Sequence, residues 1–168
     1  MNSKVTHINV GNLAENCWFL ANEDTKEAVV IDPGAEPDRI CAAAEKHGWK
    51  ITAILLTHGH IDHMGACESL RTELGVKVYA LTEEEDLLLD AKKNLSVFIE
   101  RKVVTFDPDE LLRDGQELTL AGMKIQVIHT PGHTPGGCSY YVADAGCVFS
   151  GDTLFAESVG RSDFPGGS

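Results

Sequence analysis

The stretch Leu56-Thr57-His58-Gly59-His60-Ile61-Asp62-His63 gathers three of the chain's seven histidines and a carboxylate between positions 58 and 63. Ahead of it, the apolar run Ile51 to Leu56 reads as a buried strand; behind it, Met64 to Leu74 reads as a helix closed by Gly75. The cluster therefore sits where a strand turns into a helix. In extended or looping backbone, residues i and i+2 point the same way, so His58 and His60 can both reach one ion at a Zn–N distance of ~2.0 to 2.1 Å. Asp62 and His63, where the chain turns, would face a neighbouring site. Without a metal, three imidazoles and a carboxylate would form a polar cluster that is costly to bury. His7 and His47 stand alone and read as ordinary core or surface histidines.

Outward from this centre the pattern is α/β. Lys4 to Val10, Cys17 to Ala21 and Ala28 to Asp32 are β-rich runs separated by turn-like Gly11-Asn12 and Asn22-Glu23-Asp24, which predicts consecutive antiparallel strands. Pro37 opens a helix through Lys46, with Ile40, Cys41 and Ala44 on one stripe, and Val76 to Ala80 is a further strand. This β-α-β-α-β alternation implies helices packed on a sheet. Thr82-Glu83-Glu84-Glu85 fits a capping box for a helix through about Asp90, its glutamates serving the helix dipole rather than catalysis. Residues 91–114 mix charge with short apolar pieces and show no single pattern. Glu117 to Leu120 and Met123 to Ile128 form a hairpin around Ala121-Gly122, followed by strands Cys138 to Val142 and Cys147 to Ser150. With no repeat and no linker, 168 residues predict one domain spanning 1–168.

Two later segments supply what a metal site would need. Thr130-Pro131-Gly132-His133-Thr134-Pro135-Gly136 puts a histidine in a loop after a strand, and Ser150-Gly151-Asp152-Thr153 puts a carboxylate at another strand end.

Composition excludes several classes. The chain has 14 Lys plus Arg against 26 Asp plus Glu, a net charge of −12, which opposes nonspecific binding to nucleic acid or anionic lipid. The uninterrupted aliphatic run before the motif, Ala53 to Leu56, falls far short of the ~18 to 20 apolar residues of a membrane span. The start carries no basic segment followed by an apolar run, so a cytoplasmic protein is expected. Five cysteines at irregular spacing (Cys17, Cys41, Cys67, Cys138, Cys147) argue against a disulfide framework and for reduced thiols.

On these motifs the chain resembles the metallo-β-lactamase superfamily, whose His-x-His-x-Asp-His stands here as His58, His60, Asp62 and His63. Asn16-Cys17, Val30-Ile31-Asp32-Pro33-Gly34, the Thr-Pro-Gly-His-Thr-Pro-Gly loop, Gly151-Asp152-Thr153-Leu154-Phe155 and Gly160 to Gly167 resemble its small glyoxalase II-like branch. The resemblance implies an αββα sandwich. It implies two divalent metals, zinc first with iron or manganese as alternatives: one held by His58, His60 and His133, the second by Asp62 and His63, with Asp152 bridging. The implied reaction is hydrolysis of a thioester such as S-lactoylglutathione by metal-bound hydroxide oriented by Asp62 and Asp152, the thiolate leaving without strong protonation. Because the protein is acidic and glutathione thioesters are anionic, a local cation is expected at the substrate, and Arg161 is the candidate. The chain departs from the family in having no histidine after Asp152, where the fold ordinarily runs on through a helix and a strand to a last ligand. The expectation is a domain lacking that C-terminal helix and strand. A mononuclear iron persulfide dioxygenase using His58, His133 and Asp152 is the rival enzyme, and a non-catalytic metal-binding member the second alternative. A class B β-lactamase of the commonest kind fits less well, since it would be secreted and carry Cys near the place of Asp152. A nuclease would want a basic surface or an added domain, and a flavo-diiron protein Glu in place of His60.

Overall fold

Runs rich in β-branched and aromatic residues form the first three strands, β1 (Ser3–Val10), β2 (Glu15–Asn22) and β3 (Glu27–Ile31), which pair antiparallel as expected. This computed structural model describes residues 1–151 and, as backbone, 153–156. After β3 come helix α1 (Pro37–His47), strand β4 (Lys50–Leu55), helices α2 (Ile61–Met64) and α3 (Cys67–Leu74) and strand β5 (Lys77–Leu81). A 3-10 turn (Thr82–Glu84), short helices α4 (Glu85–Leu88) and α5 (Ser96–Ile99) and strand β6 (Glu110–Leu112) complete this part. The first sheet is ordered β1-β2-β3-β4-β5-β6, with β3 to β6 parallel. Five antiparallel strands make the second sheet: β7 (Glu117–Leu120), β8 (Met123–His129), β9 (Cys138–Val142), β10 (Cys147–Ser150) and β11 (Thr153–Ala156).

Two cores explain why the first sheet reads as near-continuous apolar runs: both of its faces are covered. On one face Phe19, Val30, Ile54 and Val78 cluster with Ile40 and Ala44 of α1 and Cys67 and Leu70 of α3. On the other, Leu20, Val29, Ile31 and Leu55 meet the inward residues Met123, Ile125, Val127, Tyr140 and Phe149 of the second sheet. The outward residues Lys124 and Gln126 of β8 are exposed, which is the period-2 alternation that marked the hairpin. Phe19 is fully buried. Phe19→Ala is expected to cost about 3 to 5 kcal/mol, read as a lowered denaturant midpoint at unchanged slope.

Three expectations need correction. The single helix Met64 to Leu74 is two helices, because Ala66 N–H donates to Pro33 O (2.9 Å) at the break. The first of them starts at Ile61, which places Asp62 and His63 in a helical turn. No capping box forms at Thr82: its hydroxyl donates to Leu112 O (2.9 Å), and a 3-10 turn with one short helix replaces the longer helix. Strand β6, three residues inside the patternless segment, supplies that carbonyl. Among the described residues no helix is long and apolar enough to cross a membrane.

Candidate metal centre

Strand β4 ends at Leu55 and β8 at His129, and the loops that follow meet: Cys138 N–H donates to Thr57 O (2.8 Å). This contact brings the His58–His60 turn against the His133 loop. The three imidazoles stand mutually edge-on, with centroids 5.2 Å (His58 to His60), 5.0 Å (His58 to His133) and 4.8 Å (His60 to His133) apart and interplanar angles of 84 to 88°. One nitrogen of each lies within 4.8 Å of the other two, and His60 Nδ1 is 3.1 Å from His133 Nε2. That separation is close to the ~3.3 Å edge of a tetrahedron with bonds of ~2.0 Å, so this donor set fits a divalent cation such as zinc. His58 is buried, His60 half-buried and His133 exposed, so the set opens toward solvent on the His133 side. Burial, then His133, lowers the His60 pKa against the opposing pull of Asp62, favouring the neutral imidazole that ligation requires.

A second donor group adjoins the first. His63 Nδ1 is held by Asp32 Oδ2 (3.0 Å), which directs Nε2 toward Glu15 Oε2 (3.3 Å) and Asp62 Oδ2 (3.6 Å). Glu15, Asp62 and His63 thus bring three donor atoms within 4.8 Å of one another, and Asp32, His58 and His63 form a further group of the same kind that shares His63. Asp152, expected to bridge, and Arg161, expected at the substrate, lie outside the described residues.

Two carboxylates escaped sequence reasoning. Asp32 is fully buried at the end of β3, in left-handed backbone (φ 58°), and accepts from Thr57 N (2.8 Å), Thr57 Oγ1 and His63 Nδ1. Its available signal was an acidic residue closing the apolar run Ala28 to Ile31. Glu84, assigned to a helix dipole, is instead 1% exposed and bonded to both histidine loops.

A cavity of about 310 Å³ lies beside the imidazoles, bordered by Thr57, His58, Thr130, His133, Thr134 and Ser150, among others. That is the lower end of the range for small-molecule sites. Among its described lining residues there is no Lys or Arg. The expected reduced thiols are all unpaired cysteines, and burial raises the thiol pKa of Cys138, at the cavity wall, to about 12. Such a thiol is a poor nucleophile at neutral pH.

The family model described as metallo-beta-lactamase superfamily matches residues 10–168. The chain belongs to that superfamily. Within it, the chain is 39% identical over 160 residues to the probable metallo-hydrolase YqgX of Bacillus subtilis, covering 95% of this chain and 75% of that one. It is 35% identical over 155 residues to the hydroxyacylglutathione hydrolase GloC of Haemophilus influenzae, covering 91% and 73%. Among solved structures, BLEG-1, a B3 metallo-beta-lactamase, superposes with a TM-score of 0.83 at 37% identity over 98% of this chain and 79% of that one. TTHA1623 in a di-iron-bound form gives 0.72 at 34% identity over 97% and 79%. The mixed α/β fold is therefore that of the metallo-β-lactamase superfamily, a superfamily of metallo-hydrolases.

Proposed function

We propose that this superfamily member is a metal-dependent hydrolase of an acyl thioester, S-lactoylglutathione or a related hydroxyacyl thiol ester. The observation that carries the reading is the edge-on convergence of His58, His60 and His133 beside a cavity of small-molecule size. Similarity to a hydroxyacylglutathione hydrolase at 35% identity supports the substrate class.

His58, His60 and His133 would hold one cation, and Asp62 and His63, with Asp152, the second. A bound divalent ion would lower the pKa of a water to about 7 and polarise an acyl carbonyl. Asp62 stands in the first turn of α2, its carboxylate beside His63 Nε2, where it can accept a proton from an attacking water and orient it. His63 is kept in one tautomer by Asp32, which accepts a hydrogen bond from Nδ1–H and so presents the Nε2 lone pair toward Glu15 and Asp62, where a cation would sit. The thiolate departs as an anion and needs no strong acid, which agrees with a cavity lined largely by threonine, serine and histidine. Arg161 would supply the cation that an anionic thioester needs in a chain of net charge −12.

A second reading, β-lactam hydrolysis, is favoured by the 37% identity to a B3 metallo-beta-lactamase. Three assays separate the readings: cleavage of S-lactoylglutathione and of a chromogenic cephalosporin by the zinc-loaded protein, and oxygen uptake with glutathione persulfide by the iron-loaded protein. Thioester cleavage at a kcat/KM of at least ~10⁴ M⁻¹s⁻¹, far above the other two, is the expected result. A dominant cephalosporin or oxygen-uptake activity would overturn it.

A further inference from the structure

We infer that Glu84 is a positioning residue whose carboxylate holds the two histidine loops in register, so that His58, His60 and His133 converge on one cation. The inference rests on reading those three histidines as ligands of a single ion.

All three of the carboxylate's bonds land on the two histidine loops, two of them on residues adjacent to a histidine. Oε2 accepts from Gly59 N–H (2.7 Å), the peptide between His58 and His60, and from the hydroxyl of Thr134 (2.7 Å), the residue after His133. Oε1 accepts from Gly136 N–H (2.9 Å), farther along the same loop. Residues 59 and 134 are 75 positions apart, and one side chain ties them together. The same segment is the seat on which both loops rest, its backbone under Gly136 and its leucine side chains under Gly59. A Cβ on Gly136 would fall 2.2 Å from Glu84 N, and a Cβ on Gly59 would fall 2.6 Å from Leu88 Cδ2. Glu83 adds an outer fastening: its Oε2 lies 3.4 Å from His129 Nδ1, and His129 Nε2 lies 2.8 Å from Pro135 O.

A purely structural link between two loops has no need of a buried carboxylate, whose desolvation cancels most of what its bonds contribute to stability. Hydrogen bonds are directional where apolar packing is not, so what the carboxylate adds is loop geometry. Carboxylates and carbonyls behind metal ligands commonly act through the ligand's own ring nitrogen; here the action would run through the main chain on either side of the ligands. An amide cannot take its place. Gly59 N–H and Gly136 N–H approach different oxygens and both must donate, so a glutamine would turn its NH2 toward one of them.

The test uses cobalt(II) and zinc(II) alone as probes. Metal affinity is measured by chelator competition, the cobalt absorption spectrum is recorded, and the melting temperature of the metal-free protein is followed. Glu84→Gln is expected to weaken zinc binding by about 10- to 100-fold and to alter the cobalt ligand-field bands. Asp86→Asn, an exposed acid on the next turn, should change neither. Should Glu84→Gln fail to fold, Thr134→Val removes one of the three donors with the shape kept, and a smaller loss of affinity with the same spectral change is expected. Unchanged affinity and spectrum in the folded variant would overturn the inference. A wild-type protein that binds neither cation would instead overturn the metal-site reading beneath it.

Discussion

His133→Ala is expected to lose bound metal and thioester turnover together, and His58→Ala to do the same. Their rings stand 5.0 Å apart at 86°, each contributing a nitrogen to a common point, and an alanine there leaves two of three donors. The exposed position of His133 makes its substitution structurally mild, so metal content by mass spectrometry should fall while the melting curve of the metal-free protein stays put. His47→Ala is the control. Its ring stacks on Trp49 at 4.2 Å and belongs to none of the donor groups among the described residues, and its loss should cost about 0.5 to 1.5 kcal/mol with metal and turnover retained. Full activity in His58→Ala would remove the basis for the site assignment.

The second large effect belongs to Asp32. Alanine there removes a fully buried acceptor from Thr57 N–H, the Thr57 hydroxyl and His63 Nδ1, and a cost of about 3 to 5 kcal/mol is expected in denaturant unfolding. Asparagine separates stability from metal chemistry. Its amide oxygen must face Thr57 N–H, which donates to Oδ1, so its NH2 takes the place of Oδ2 between the Thr57 hydroxyl and His63 Nδ1. The hydroxyl can accept from it. The imidazole can accept only by moving its proton to Nε2, the atom that faces Glu15 and Asp62. Asp32→Asn should therefore fold, tolerate the left-handed backbone and lose the more weakly held metal equivalent, read by stepwise chelator titration. Retention of both equivalents at wild-type affinity would contradict this account of His63.

What could be read in advance followed from distance along the chain. His58, His60, Asp62 and His63 are local, so spacing alone proposes a shared site, and His133 stands in a loop whose prolines and glycines mark it. The apolar runs of β2 to β4 announced a sheet, and α1 ended where its pattern stopped. The failures are tertiary. Thr82 to Glu85 matches a capping box, yet the Leu112 carbonyl of β6 takes the threonine hydroxyl, and both histidine loops claim Glu84. Pro33 O ends one helix and starts another by taking the Ala66 N–H. In each case a partner 25 or more residues away outbids the local pattern, and no periodicity records it. Asp32 is the same case: its sequence signal is a strand ending in an acid, while its role comes from Thr57 and His63 being folded over it.

The central claim is that a metal held by these histidines drives acyl hydrolysis. The direct test is to strip the protein with a chelator and titrate zinc back while following S-lactoylglutathione turnover. Activity is predicted to vanish on stripping and to return in proportion to metal bound, reaching a plateau at the measured stoichiometry. Full turnover by the metal-free protein would contradict the account.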